Sequence, residues 1–584
     1  MTDFTTPSTI PLSIPDNLTL PQFILDTNHP ARVTKRTLSS PWLIEDATGR
    51  GVGFEERVGS SQVGDRSFAH AFQVRHRVHG LANGLKLKYN VAEGQAVCLF
   101  TPNDIDFPIL IWGIHRLGAI VTSANPAYSA DELAYQLSTA KAVNLITHPD
   151  FLATAFAAAK KAGVPAERII ILDSAHPSRP SSSVPTIEEI IAYGLSQPTS
   201  FVERHLNPGE AKTKLAFLSF SSGTTGKPKA VAISHYAPIA NIIQMAVHQE
   251  AKKEERIKPG DVALGALPFF HIYGLVVQMH FSIFCGMPLV VVPKFDYVRF
   301  LESLIKYRIT HLFLVPPQIV LLCKHQATPK YDLNHVRFVM CGAAPLSAEL
   351  TQEVIKVLPN AAIGQGYGMT ETCTTVTMFS TKRKIAVFGS AGTPLPGTTL
   401  RVLKPDGTFG KVGEQGELLV HGPSNALRYA NNAEATKETF MDGWVRTGDE
   451  VIIREDGEVF VELLKVRGFQ VAPAELEGHI LQHPDVADTC VIGILDDYSG
   501  ELPMAYVVPR PEAAKRAAAS PAESEKLKAS IIKHVADHKA HFKRLAGGVE
   551  FIEVIPKNAS GKLLRRVLRD RARESRKGQP KAKL

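Results

Sequence analysis

From position 92 onward, short apolar runs alternate with longer segments whose apolar residues recur at helical spacing. Strands are predicted at 96–101, 119–123 and 143–147, and helices at 104–117 and 129–141. That alternation predicts a layered α/β domain with a largely parallel sheet. Apolar runs at 215–218 and 230–233 flank a hydroxyl- and glycine-rich stretch and read as strand, loop, strand. Further strands are expected at 336–340 and 549–554. The first 45 residues, with Pro11, Pro15, Pro21 and Pro30, are predicted to be mostly extended and to pack over the surface of the large domain. Positions 46–75 are irregular, and 175–200, rich in Ser and Pro, read as a surface excursion.

At 584 residues the chain exceeds a single core and should hold two or more domains. The expected division is a large multi-sheet N-terminal domain (1–462), a small α+β C-terminal domain (463–575) and a basic tail (576–584). From Lys562 onward ten Lys/Arg face two acids, which accounts for the entire net charge of +8. The basic pI therefore belongs to the tail and argues against a broad nucleic-acid surface. Six dispersed cysteines, with no C-x-x-C spacing, read as buried thiols in a reducing compartment. No secretory signal and no membrane-spanning apolar run is visible. The chain ends Ala582-Lys583-Leu584, a variant of the S-K-L peroxisomal address, so peroxisomal import through its receptor is expected, with the cytoplasm as the alternative.

The candidate chemistry begins at 218–229, L-S-F-S-S-G-T-T-G-K-P-K. Ser221, Ser222, Thr224 and Thr225 offer hydroxyls, and Gly223 and Gly226 let the backbone approach a ligand. Lys227 and Lys229 add positive charge, so the loop suits a polyphosphate. It is not a Walker A loop, because Ser221 and Pro228 stand where that motif needs Gly and Ser/Thr. A flexible linker is the bland alternative, but a linker would not sit between two apolar runs.

Other segments are individually weaker. In 266–274, A-L-P-F-F-H-I-Y-G, a histidine among aromatics is more often a packed core residue than a functional one. In 341–346, C-G-A-A-P-L, small residues at the carboxyl end of a strand leave room for a flat ligand, or for close helix–strand packing. In 365–371, Q-G-Y-G-M-T-E, Tyr367 can stack on a base, Thr370 can donate to a phosphate, and Glu371 is a hard oxygen ligand for Mg²⁺. W-V-R-T-G-D ends on Asp449, and G-F-Q-V-A-P-A-E-L-E runs over 468–477. Finally P-K-N-A-S-G-K-L-L, 556–564, places Lys562 in the first turn of a basic helix, where a cation opposes the helix dipole.

Taken in order, these segments resemble the adenylate-forming superfamily, closest to its 4-coumarate:CoA ligase branch. They span about residues 90 to 575, and five or more in sequence make the resemblance specific where one would be only suggestive. The resemblance implies an ATP-dependent acid–CoA ligase that makes an acyl-AMP and then a thioester, using ATP, Mg²⁺ and CoA with a small-molecule carboxylic acid. It implies that Ser221, Ser222, Gly223, Thr224, Thr225, Gly226 and Lys229 hold phosphates. Gly342, Ala343, Ala344, Gln365, Gly366, Tyr367 and Thr370 would line the nucleotide, and Asp449 would bind the ribose hydroxyls. His271, Tyr273, Met340, Gly342 and Met369 would line an aryl, arylalkanoic or medium-chain acid pocket. Lys562, Lys465, Gln470, Thr370 and His271 would serve catalysis, Glu371 would hold the metal, and Gly468 would let the pantetheine arm pass.

Two departures stand out. Ala230 replaces the glycine usual after the loop lysine, which is tolerated if φ is negative there. Between 459 and 468, V-F-V-E-L-L-K-V-R-G is a few residues short and lacks the ribose- or phosphate-contacting Arg and the hinge residue of relatives. Either residues were lost from the sequence, or this is a natural variant with impaired domain rotation. Adenylation without CoA transfer, and nucleotide binding with impaired turnover, are the competing functions.

Overall fold

The computed structural model describes residues 3–5, 12–32, 41–52, 74–172, 184–221, 228–253, 255–461, 464–466, 469–471, 473–496, 500–539, 541–557 and 563–576. Their strands form four sheets. One runs Arg428–Tyr429, Lys229–Ser234, Leu215–Ser221, Ile120–Ala124, Ala96–Phe100, Ala142–Thr147, Ile169–Ile171. It is parallel from Leu215–Ser221 onward, with an antiparallel hairpin at the other edge. A nine-stranded sheet has a parallel centre that includes His311–Leu314, Phe338–Cys341 and Ala362–Met369. A six-stranded antiparallel sheet holds Trp444–Ile453 and Val459–Val461. The fourth, five-stranded, takes Leu464–Val466, Phe469–Val471, Val486–Asp496, Gly500–Pro509 and Gly548–Phe551, with helices Pro473–Ile480 and Pro521–His538 against it. The protein is thus α/β, with a large three-sheet part followed by a small α+β part.

Local chemistry sets the element ends. Ser129 caps helix Ala130–Ala140 in a reciprocal capping box with Glu132, and Lys141 stops it at φ 51°. Helix Phe107–Arg116 starts later than its apolar pattern predicts, because the Asp106 N–H turns back to Asp104 Oδ1 at 2.8 Å. Its Phe107, Ile109 and Trp112 are fully buried. At an upper figure of about 3 kcal/mol per large apolar side chain, burial on this scale is the main stabilising term of the large part.

Three expectations need correction. The N-terminal stretch does not merely lie extended over the surface. Phe23, Ile24 and Leu25 are buried in a short π-helical turn, Gln22–Asp26, with Leu20 buried just before it and Phe23 stacked on Phe284 at 5.2 Å. Positions 184–200 are not a loose excursion either. Thr186 and Glu189 form a capping box that starts helix Ile187–Ser196, which buries Ile187, Ile190 and Ile191 against helix Val74–Tyr89. The last helix begins at Arg565, later than expected, and Lys562 itself lies outside the described residues. Ala230 has no positive φ and sits in a strand, so the missing glycine costs nothing there. None of the six cysteines forms a disulfide; five are buried and Cys323 is partly so. Among the described residues, no helix is long and apolar enough to cross a membrane.

The small part rests on the large one through helix Pro473–Ile480. Leu476, Ile480 and Leu481 share one apolar core with Leu346, Leu350 and Val354. Lys324 Nζ donates to the Leu481 carbonyl at 2.7 Å, and Lys539 bridges Glu349 at 2.8 Å and Glu475 at 3.2 Å. A Cβ on Gly478 would lie 1.9 Å from Ser347 Oγ, so only glycine permits this approach.

Candidate active site

Strand Leu215–Ser221 delivers Ser221 to the start of the polar loop, and Lys229 opens the returning strand. From the other large sheet, strand Ala362–Met369 runs into a turn, Thr370–Thr372, that presents Glu371. The two sheets meet at that carboxylate. Ser221 Oγ donates to Glu371 Oε1 at 2.9 Å, and Tyr429 OH donates to the same oxygen at 2.7 Å. Lys229 Nζ lies 4.9 Å from the Tyr429 ring centroid. Burial, reinforced by the Glu371 charge, pushes the Tyr429 phenol well above its ordinary range, so it stays a donor.

The turn that carries Glu371 is strained. Cys373 has φ 49° and Thr374 φ 92°, the latter a β-branched residue in a region that favours glycine. Each such residue costs about 1–3 kcal/mol and persists only where its surroundings fix it. The Thr374 hydroxyl is fixed by donating to the Ile272 carbonyl at 3.0 Å, tying the turn to the His271 segment. Thr370 and Glu371 are both buried.

Tyr367, half-buried, donates its hydroxyl to Asp449 Oδ2 at 2.7 Å, so these two predicted site residues are brought together. The bulge that turns Asp449 inward includes Gly448 at φ 71°, and the Asp449 N–H is bonded to Thr447 Oγ1 at 3.1 Å. Gln365 sits behind the 341–346 segment. Its Oε1 accepts the Leu346 N–H at 2.6 Å, and its Nε2 donates to the carbonyls of Leu346 and Ser390. It positions that segment through its amide. Ala343 has φ 68°, another strained non-glycine residue, beside half-buried Ala344.

A second cluster surrounds Tyr273. Its hydroxyl donates to the Met340 carbonyl at 3.1 Å, and a Cβ on Gly342 would lie 2.9 Å from its ring. A Cβ on Gly366 would lie 3.2 Å from Met340 Sδ, so Tyr273, Met340, Gly342 and Gly366 are neighbours. Burial pushes the Tyr273 phenol far up. His271 is half-buried, and its Nδ1 accepts the Tyr273 N–H at 3.3 Å, which leaves the proton of the neutral ring on Nε2. Met369 ends its strand half-buried, with its N–H bonded to Thr372 Oγ1. Lys465 and Gln470 are direct partners across an antiparallel hairpin of the small sheet. Ser222, Gly223, Thr224, Thr225, Gly226, Lys227, Gly468 and Lys562 lie outside the described residues.

Two residues escaped sequence reasoning. Tyr429 is brought to Glu371 because its strand pairs with Lys229–Ser234, and nothing local signals that pairing. Asn103 is buried and brackets the His271 segment: it donates to the Gly265 and Leu267 carbonyls and accepts the Phe269 N–H at 2.7 Å. Its place just beyond the carboxyl end of strand Ala96–Phe100 was the available clue.

Ser221 and Lys229, a buried carboxylate that accepts from two hydroxyls, and a tyrosine–aspartate pair are groups of the kind that can hold a nucleotide and a metal ion. The sequence agrees with that class: residues 69–430 match the AMP-binding enzyme family and residues 475–562 match the AMP-binding enzyme C-terminal domain. The chain belongs to this family. Among its relatives, 4-coumarate-CoA ligase 1 of Narcissus pseudonarcissus is 35% identical over 498 residues, covering 83% of this chain and 85% of that protein. 4-Coumarate–CoA ligase 5 of Oryza sativa subsp. japonica is 32% identical over 580 residues, covering 96% and 95%. Of solved structures, ATP-bound MatB from Rhodopseudomonas palustris superposes with a TM-score of 0.73 at 26% identity, covering 96% of this chain and 99% of that one. The anthranilate CoA ligase AuaEII with anthranoyl-AMP has a TM-score of 0.77 at 24% identity, covering 96% and 98%, and shares the fold.

Proposed function

We propose that this protein is an ATP-dependent acid–CoA ligase acting on aryl, arylalkanoic or medium-chain carboxylic acids. The observation that carries the proposal is the convergence of Ser221, Lys229, Glu371 and Tyr429 where two sheets meet. The relatives named for 4-coumarate–CoA ligation support the same reading.

The substrate carboxylate attacks the α-phosphorus of ATP, giving acyl-AMP and pyrophosphate. Lys229 and the 221–229 hydroxyls and amides offset the phosphate charge, and Thr370 donates to the α-phosphate. Tyr367 and the 342–344 segment flank the base, and Asp449 binds the ribose. Glu371 is the hard oxygen donor that fits Mg²⁺, which when bound neutralises phosphate charge. Lys562 stabilises the oxygens that react in adenylation, with Lys465 and Gln470 facing the carboxylate. His271, Tyr273, Met340, Gly342, Gly366 and Met369 surround the acid. For thioester formation the small domain turns, Gly468 passes the pantetheine arm, and the CoA thiol attacks the acyl-AMP carbonyl to release AMP.

A second reading rests on the short connection. Only positions 462 and 463 separate Val459–Val461, in one sheet, from Leu464–Val466, in another. Such a link favours restricted rotation, and therefore acyl-AMP formation with little thioester. Incubation with ATP, Mg²⁺, CoA and a panel of cinnamic, benzoic, phenylalkanoic and C6–C12 acids separates the two. Pyrophosphate and thioester in equal amounts support the ligase. Pyrophosphate with retained acyl-AMP supports the second reading, and no pyrophosphate with any acid defeats both.

A further inference from the structure

In the small domain, histidines gather between two helices. His479 lies at the end of helix Pro473–Ile480, and His534 and His538 stand one turn apart on Pro521–His538. One ring nitrogen from each lies within 4.8 Å of one from each of the others. The His479 and His534 rings stack at 4.4 Å, and His538 lies 5.2 Å from His479 and 5.5 Å from His534.

Hydrogen bonds fix which nitrogen of each ring carries the proton. His479 Nε2 meets the His534 carbonyl at 3.1 Å, His534 Nε2 meets the His479 carbonyl at 3.1 Å, and His538 Nδ1 meets the His534 carbonyl at 3.0 Å. A carbonyl only accepts, so each of those nitrogens carries the proton and the other nitrogen of each neutral ring carries a lone pair. Imidazole ligands of metals commonly have their second N–H anchored to a carbonyl in this way. The nearby His483 is different. Its Nδ1 accepts the Asp485 N–H at 3.2 Å and its Nε2 meets Ser530 Oγ at 3.0 Å, so both nitrogens are already used.

We propose that His479, His534 and His538 form a binding site for one divalent transition-metal ion of the zinc class, linking the two helices. Three imidazoles with a fourth position left to water suit Zn²⁺, Co²⁺, Ni²⁺ or Cu²⁺ and not Mg²⁺ or Ca²⁺. Zn–N bonds of about 2.0–2.1 Å need nitrogens roughly 3.3 Å apart, so the cluster closes by up to about 1.5 Å on binding. His538 is exposed and can move by side-chain rotation, and the stacked His479 and His534 rings, 8° from parallel, turn as well so that both lone pairs reach the ion. The linked helix Pro473–Ile480 is the one that meets the large domain through Gly478, Leu476 and Ile480, so the ion stiffens the docking face of the small domain.

The test is a titration of untagged, chelator-treated full-length protein with Zn²⁺ by calorimetry, and with Co²⁺ by visible absorption. His538→Gln and His534→Gln are run in parallel, with circular dichroism and metal-free melting confirming that they fold. One Zn²⁺ per chain in the wild type, weakened tenfold or more in each variant, with a Co²⁺ ligand-field band lost in both, supports the site. Equal binding by wild type and His538→Gln, or no binding by the wild type, overturns it.

Discussion

Replacing Tyr429 by Phe isolates one of the two contacts that join the two large sheets at Glu371. The ring is 6% exposed and packs edge-on against Phe440 at 5.4 Å, with Lys229 over its face. Phe keeps all of that and removes only the hydroxyl. A hydrogen bond to a charged acceptor contributes about 1.5–3 kcal/mol. Ser221 still donates to the same Oε1, which holds the loss toward the lower end. If Glu371 must be held in position to bind metal and phosphate, kcat/KM for pyrophosphate release falls about 10- to 100-fold, since 1.4 kcal/mol is a factor of ten. Continuous pyrophosphate detection at saturating acid measures it, with ATP and Mg²⁺ varied in turn. The double variant Ser221→Ala/Tyr429→Phe should lose more than the product of the single effects, because both donors seen on that oxygen among the described residues are then gone. A Tyr429→Phe enzyme within twofold of wild type, while Glu371→Gln is severely impaired, would refute the positioning role.

Gly342→Ala puts a methyl 2.9 Å from the Tyr273 ring, an overpacking that costs about 1–3 kcal/mol. Its thermal midpoint should drop and its KM for the acid should rise, with KM for ATP changed less. Lys562→Ala should slow adenylation on the order of a hundredfold, read as pyrophosphate release in single turnover, with little change in nucleotide affinity. Acid sensitivity comes from His248, His280 and His311, each held down to about 4 chiefly by burial. Their folded pKa values lie below the unfolded value near 6.5, so their stabilisation is intact above about pH 6.5 and is lost as pH falls toward 4. Each removes up to about 1.4 kcal/mol per pH unit in that window. Urea unfolding at pH 7, 6 and 5 should show a steep decline, and a flat profile would contradict it.

The two strands flanking the polar stretch 222–228 were legible because two apolar runs bound it. The elements now seen, Leu215–Ser221 and Lys229–Ser234, agree with it. The parallel order of the central strands followed from alternation alone. What stayed hidden depends on distant partners or on backbone strain. Glu371 was recognisable within its motif, but Tyr429, 58 positions away, acquires its role only through the pairing of its strand. The positive φ values of Cys373 and Thr374 leave no trace in residue types. Helix Ile187–Ser196 was masked by the neighbouring Ser/Pro composition, although Thr186 and Glu189 carried a capping-box spacing that could have found it. Phe23 and Ile24 read as part of an extended arm because prolines at 15, 21 and 30 punctuate the segment, and their burial depends on a core built from distant residues such as Phe284, on which Phe23 stacks.

The central claim is that a carboxylate oxygen attacks the α-phosphorus of ATP at the Glu371 site, and oxygen-isotope transfer tests it most directly. An aryl acid labelled with ¹⁸O in both carboxyl oxygens is turned over with ATP, Mg²⁺ and CoA, and the nucleotide product is weighed by mass spectrometry. The account predicts AMP carrying one ¹⁸O, with unlabelled pyrophosphate. Unlabelled AMP, or ADP with ¹⁸O in released phosphate, would contradict it.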